Sequence, residues 1–210
     1  MRNQPRRPSG VGAAGSEPRP AASLILLRRG GKHRDRGVEI LLVRRSPQAS
    51  FMPGVWVFPG GAVDAVDAGD EEAAHMACAV RELREEAGIE LPAGAELLPW
   101  SRWITPEPVP VRFDTRFYVA LAPAHSPPRP DGMETTEAAW TAPADALERN
   151  RSGEIELVFP TIKHLESLLP YSSSEKVLAA ARERVIEPVM PRVVGEAGER
   201  RIVLPGDPGY

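Results

Sequence analysis

A chain of 210 residues with a formal charge of −3 and a single cysteine has room for one domain with a real core, plus tails. It lacks the basic excess of a nucleic-acid binder, and no apolar run approaches the ~18 residues of a membrane span. Cys78 cannot form an internal disulfide, which fits a reducing, cytoplasmic setting, and no secretory apolar stretch stands near the start.

Residues 1–20 are rich in Arg, Pro, Gly and Ala without an apolar period, and read as a disordered tail. The frequent Arg would also suit a transit peptide; Glu17 and the prolines argue against one. Ala21 to Leu27 is a short apolar run, a strand, followed by a turn at Arg28-Arg29-Gly30-Gly31. Val38 to Val43 is a second, β-branched run, and Lys32 to Gly37 between them makes a charged hairpin loop. Continuous rather than alternating apolar runs suit strands buried on both faces. Arg44 to Pro53 is a loop ending in Phe51-Met52-Pro53-Gly54, and Val55 to Phe58 is a strand that delivers Pro59-Gly60-Gly61. Backbone without a side chain can approach a phosphate or metal closely, with its N–H groups aimed at it.

Glu71 to Ala87 holds no Pro or Gly and is rich in Ala, Glu, Leu and Arg, so it predicts a helix. Asp70 is its N-cap and Gly88 its left-handed C-terminal stop. Met76, Val80, Leu83 and Ala87 form a narrow apolar stripe. Glu82, Glu85 and Glu86 share another face, where like charges repel by roughly 0.2–0.5 kcal/mol per pair. Either this is a solvated acidic face with Arg81 and Arg84 beside it, or a cation reverses the cost. Hard carboxylate oxygens suit Mg²⁺ or Mn²⁺. His75 falls on the face of Glu82, where solvent exposure is the expectation, and Cys78 is expected to pack.

Leu97 to Ile104 reads as a strand whose Trp100 and Trp103 serve packing. Val111 to Leu121 alternates, predicting a half-buried strand; its Arg112 and Arg116 either hold a phosphate or form an Arg–Asp ladder. Glu134 and Glu137 precede a short strand at Ala138 to Trp140, where Glu137 can simply pair. Thr141 is expected to cap a helix opening at Pro143 and running to Arg149. Further helices are expected over Phe159 to Leu169 and Glu175 to Arg184, and a terminal hairpin from Arg192-Val193-Val194 and Arg201 to Leu204. The last residues are not a peroxisomal address, and no internal repeat is present.

Phe58-Pro59-Gly60-Gly61, followed by Arg81-Glu82-Leu83-Arg84-Glu85-Glu86-Ala87-Gly88-Ile89, resembles the Nudix box, written G-x5-E-x7-R-E-U-x-E-E-x-G-U. The second half matches at every specified position. The first half is lengthened, and counting back from Arg81 puts Ala73 where the family has its first glutamate. Asp64, Asp67 and Asp70 lie in the longer loop. Leu41-Leu42-Val43-Arg44-Arg45-Ser46, Gly54 and Phe58 to Gly61 further resemble the family's coenzyme A diphosphatase branch. Phe51-Met52-Pro53-Gly54 and Val57 to Ala65 are similar to its divergent peroxisomal members.

The resemblance implies an α/β fold, a Nudix-type α/β/α sandwich with a mixed central sheet over residues 21–170. Residues 171–210 would form a helix and hairpin extension. It implies a Mg²⁺- or Mn²⁺-dependent diphosphatase acting on a small nucleotide-derived substrate, coenzyme A or acyl-coenzyme A, with no nucleic acid or membrane partner. Glu82 and Glu86 would be the principal metal ligands, and Gly61 would offer its backbone. Glu85 would bind a second ion or, with Glu82, orient the attacking water. Arg45, Phe51 and Arg112 would contact substrate, and Glu134 or Glu137 would add a ligand or base. Rival substrates are ADP-ribose, a dinucleotide or a nucleoside triphosphate. A non-catalytic nucleotide sensor is the rival of another class, against which the intact glutamate set argues. A homodimer is a common arrangement in the family.

Overall fold

A computed structural model describes residues 17–29, 37–107, 109–195 and 201–210. The two continuous apolar runs lead the fold as antiparallel neighbours, β1 (Arg19–Arg29) and β2 (Val38–Arg45). Strand alternation sorts their side chains between two cores. Ile25, Leu27, Ile40 and Leu42 enter one, and Leu24, Leu26, Leu41 and Val43 the other. β1 begins at Arg19, inside the stretch expected as tail, because its first residues pair with β6 (Phe113–Leu121), Arg19 opposite Phe113. At its other end β1 takes in Arg28 and Arg29, expected as a turn, because they pair with Glu39 and Val38. The rest of the expected tail, residues 1–16, and residues 30–36 of the expected turn and hairpin loop lie outside the described residues.

The sheet is mixed. Its order is β3 (Trp56–Val57), β2, β1, β6, β5 (Leu98–Ile104), β8 (Pro188–Val189), with β4 (Gly60–Ala62) paired to β1 and β7 (Thr135–Thr141) to β2. β1–β6 and β5–β8 are parallel, and the other pairs are antiparallel. One face is covered by α1 (Glu71–Ala87), whose Cys78, Ala79, Leu83 and Ala87 pack on Leu24, Leu41 and Tyr118. The other is covered by α2 (Pro143–Arg151), α3 (Phe159–Leu168) and α4 (Ser174–Arg182), through Ala146, Leu165, Leu168, Val177, Leu178 and Ala181. This is the expected α/β/α sandwich. The terminal hairpin is present as β9 (Arg192–Val194) against β10 (Arg201–Val203), its residues 196–200 outside those described. No described helix is long and apolar enough to cross a membrane.

Several local expectations are corrected by tertiary packing. β6 lies between β1 and β5, so Phe117 and Val119 are buried on one side and Tyr118 and Ala120 on the other, and the strand is not half-buried. Its first half carries ion pairs: Asp114 with Arg102, and Arg116 with Glu71 and Glu72. Arg116 therefore ties the sheet to the start of α1. Thr141 is the last residue of β7, and Ala142 takes the N-cap position before Pro143 with no side-chain bond. His75 is buried, not exposed, with Nδ1 2.6 Å from the Glu71 carbonyl. The buried stripe of α1 runs through His75, Cys78 and Ala79 to Leu83, while Met76 and Val80 sit at its margin. Trp100 is fully buried and Trp103 packs against the same core, as expected of both.

Candidate active site

The site begins where the chain runs too close to its neighbours to leave room for side chains. After Phe58 and Pro59 the chain re-enters the sheet as β4, Gly60 opposite Ser23 and Gly61 opposite Ala22 on β1. The Pro59 carbonyl accepts from both the Leu24 amide and the Ser23 hydroxyl at 2.9 Å, which fixes the entry. β4 lies beneath α1. A methyl group on Gly61 would fall 2.2 Å from Glu82 Oε1, and one on Gly60 would fall 2.5 Å from the Ala22 carbonyl oxygen. The missing side chains let the helix carboxylates rest against bare backbone.

On α1, the Asp70 carboxylate accepts from the Ala73 amide at 2.9 Å and Gly88 closes the helix at φ 63°, both as the sequence predicts. The helix turns two of its three box glutamates inward. Glu86 is 3% exposed and its Oε2 accepts from the Gly60 amide at 2.9 Å. Burial pushes its carboxyl up to about 8; the Gly60 N–H and Arg45 oppose that rise, and Glu82 and Glu134 add to it. Glu82 is 8% exposed, and burial likewise raises its carboxyl, against Arg81 Nη1 donating to Oε1 at 2.8 Å. Glu85 instead points outward, its side chain half exposed, and accepts from Arg81 Nη1 at 2.9 Å.

Arg81 is the strut of this arrangement. It donates to Asp67 through Nε and Nη2, both at 2.9 Å, and to the Ala62 carbonyl at 3.2 Å. The Arg81 guanidinium holds the Asp67 carboxyl below the usual range, although burial opposes it. Asp67 corrects the count made on the sequence. Backwards from Arg81 the box reaches Ala73, but six steps forward from Gly61 it reaches Asp67, an acidic residue at the specified G-x5-E position. The extra residues therefore fall between Asp67 and Arg81. The forward count was the signal that could have found it.

Glu134 stands across from α1. Its carbonyl accepts from the Ser46 amide at 2.7 Å, and the next residue, Thr135, donates its hydroxyl to the Glu86 carbonyl at 2.6 Å. Glu134 acts electrostatically on both Glu82 and Glu86. Glu137 is elsewhere. Strand alternation sets it on the sheet face away from α1, alongside Ala139, where it pairs with Arg44 at 2.6 Å. Arg45 lies within electrostatic reach of Glu86 and donates Nε to the Phe51 carbonyl at 3.1 Å. Phe51 is partly exposed and meets Phe113 edge-on, ring centres 6.1 Å apart. Arg112 is buried, donating Nε to the Thr105 carbonyl at 3.0 Å. The structure thus gathers Gly61, Glu82, Glu86, Arg45 and Glu134, sets Glu85 and Phe51 at the margin, and separates Glu137.

The donor set fits a hard divalent cation. Glu82 and Glu86 offer oxygens beside a backbone cradle that a Cβ would fill. Among the described residues no three acidic, His or Cys side chains already surround one point. A cation here would complete its shell with water and substrate phosphate, which is how Mg²⁺ commonly binds.

The family model of the NUDIX domain matches residues 17–159. A protein named as nudix hydrolase 7 of Caenorhabditis elegans is 29% identical over 95% of this chain and 77% of its own. The acyl-coenzyme A diphosphatase NUDT19 of Homo sapiens is 25% identical over 83% of this chain and 72% of its own. Among solved structures, a NUDIX hydrolase from Alicyclobacillus acidocaldarius is similar with a TM-score of 0.71 at 28% identity. That similarity covers 79% of this chain and 97% of the other.

Proposed function

Because the chain belongs to the Nudix family, hydrolases of pyrophosphate bonds, we propose that its substrate is coenzyme A or an acyl-coenzyme A. Cleavage of the diphosphate would yield an adenosine bisphosphate and a phosphopantetheine. The observation that carries the hydrolytic reading is the pair of buried carboxylates, Glu82 and Glu86, laid against the side-chain-free backbone of Gly60 and Gly61. The substrate reading is supported by the segment from Leu41 to Gly61 and by the acyl-coenzyme A diphosphatase name of a relative.

Family hydrolases generally use divalent metals, and Glu82 and Glu86 with the Gly61 backbone would hold the ion. When bound, Mg²⁺ or Mn²⁺ supplies neutralisation of the phosphate oxygens and a lower pKa for water. Arg81 keeps Glu82 in register by bracing against Asp67. Glu85, on the outer side of Arg81, adds negative charge for a second ion. Water attacks one phosphorus of the bridge and a new P–O bond forms. The bridging P–O bond breaks, and the departing phosphate keeps its electron pair. Glu134 takes the proton that the water gives up. Arg45, between Glu86 and the Phe51 loop, orients a phosphate, and Phe51 borders the organic part of the substrate. We assign a cytoplasmic setting on the single cysteine of the chain, which cannot form an internal disulfide.

The test is a substrate panel in excess Mg²⁺, with products separated by chromatography. Coenzyme A or an acyl derivative should show the highest kcat/KM among coenzyme A species, ADP-ribose, NADH and nucleoside triphosphates. Turnover of ADP-ribose without turnover of coenzyme A would overturn the substrate. Binding of every nucleotide without any product would overturn the enzyme in favour of a sensor.

A further inference from the structure

The loop that carries Glu134 is densely hydrogen-bonded, and its fastening has one centre. Asp131 Oδ1 accepts from the backbone amides of Met133, Glu134 and Thr135 at 3.1, 3.1 and 2.9 Å. Oδ2 shares the single Glu134 N–H with Oδ1, also at 3.1 Å, and the Thr135 hydroxyl oxygen lies 3.2 Å from Oδ1. Burial works against the charge of Asp131, yet these donors hold its carboxyl below the usual range. Around this nest the loop is pinned at three further points. The Gly132 amide donates to the Thr135 carbonyl at 2.8 Å, the Ser46 amide to the Glu134 carbonyl at 2.7 Å, and the Thr135 hydroxyl to the Glu86 carbonyl at 2.6 Å. Gly132 supports the tight bend at φ 78°, a conformation costly for other residues.

Asp131 is exposed as a whole residue, with its carboxylate turned into the amides of its own loop. What the bonds fix is the backbone on both sides of Glu134, relative to the helix end that bears Glu86. Both oxygens of Asp131 share the N–H of Glu134 itself.

We propose that Asp131 is a positioning residue: its carboxylate folds the loop so that Glu134 faces Glu82 and Glu86, and turnover depends on it through Glu134 alone. The proposal rests on the hydrolytic reading above, with Glu134 as the group that receives the proton of the attacking water. Asp131 touches neither the water nor the diphosphate. A carboxylate displaced by about 1 Å loses most of its value as a base, on the order of a hundredfold in rate.

The test is a double-mutant cycle on the full chain, read as kcat and KM for the best substrate of the panel. Asp131→Ala should lower kcat by roughly 10- to 100-fold and leave KM within about twofold. Asp131→Asn keeps an oxygen acceptor for the amides and should recover most of kcat. Asp131→Ala added to Glu134→Gln should cost nothing beyond Glu134→Gln. If Asp131→Ala melts below the assay temperature, Asp131→Glu, whose carboxylate sits one methylene too far out, takes its place in the cycle. Multiplying effects in the double mutant, or a loss confined to KM, would overturn the proposal. A wild-type rate for Asp131→Ala would remove Asp131 while leaving the hydrolase standing. A wild-type chain inert on the whole panel would sink the hydrolytic reading and this role with it.

Discussion

Replacing Gly61 with Ala tests the packing of β4 beneath α1 more directly than removing a carboxylate does. The new methyl carbon would lie 2.2 Å from Glu82 Oε1, 2.6 Å from its Cδ and 3.1 Å from Oε2. An ordinary carbon–oxygen approach is roughly 3.3 Å, so the carboxylate must retreat by about 1 Å. Glu82 has a flexible end, and nothing in the β4 backbone need move. Its retreat, however, strains the Arg81 bond at 2.8 Å and takes the oxygens off the Gly61 cradle. A 1 Å displacement of a positioned catalytic group costs on the order of 100-fold, about 2.7 kcal/mol of transition-state stabilisation. Steady-state hydrolysis in excess Mg²⁺ should therefore show kcat/KM down by roughly 100-fold with the melting temperature little changed. Gly60→Ala is the control with the opposite signature. Its methyl meets the Ala22 carbonyl oxygen at 2.5 Å and Ser23 Cα at 2.7 Å, backbone of β1 that cannot step aside. It should destabilise by about 1–3 kcal/mol. Wild-type turnover in Gly61→Ala would refute the claim that the site is built on contact between that glycine and Glu82.

Asp67→Ala leaves Arg81 with its main anchor gone in a mostly buried setting, side-chain exposures being 18% for Arg81 and 2% for Asp67. Breaking such a pair costs about 3 kcal/mol, so the urea midpoint should fall, and activity with it as Arg81 releases Glu82. Glu86→Gln should abolish most turnover yet raise the stability of the metal-free protein. Folding lifts the Glu86 carboxyl from 4.5 to about 8, so its contribution is intact below pH 4.5 and lost as pH rises through 8. Urea unfolding of the metal-free variant should lack the part of that loss present in the wild type, and an unchanged pH slope would contradict the burial argument. His164 should titrate in the opposite sense. Burial first, then Arg184, pull it from 6.5 to about 4, against its bond to the Pro160 carbonyl. Its contribution is intact above pH 6.5 and lost as pH falls through 4, up to about 3 kcal/mol. The acid side of the stability curve should flatten in His164→Phe, and an equally steep fall in the variant would show that other groups cause it.

What the chain reveals by local rules, it reveals well. α1 could be placed from Asp70 to Gly88 because capping and helical propensity act within a few residues of chain. The apolar runs at Ala21 and Val38 disclosed doubly buried strands, because a strand covered on both sides has no polar face to show. The identity of the acidic helix was equally plain, since Glu82, Glu85 and Glu86 are fixed by spacing alone. Which of them turns inward was not. Glu85 carries the same side chain as its neighbours, yet it pairs with Arg81 on the outer side while Glu82 and Glu86 rest on β4. His75 is buried although its residue type gives no sign of it, its ring bonded to the Glu71 carbonyl one turn earlier.

The chain by itself therefore determined most secondary elements and the cluster of acidic residues along one helix, and its resemblance to a family implied the sandwich. Tertiary structure decided the rest: that Asp67 braces Arg81 across the lengthened loop, that Glu134 and not Glu137 stands with the helix carboxylates, and that Arg116 serves α1. The reason is the range of the forces. Caps, propensities and periodicity are settled between near neighbours along the chain. The face of a sheet on which Glu137 falls, and the reach of Asp67 over 14 positions to Arg81, depend on where β4, β7 and α1 meet, and no local pattern records that.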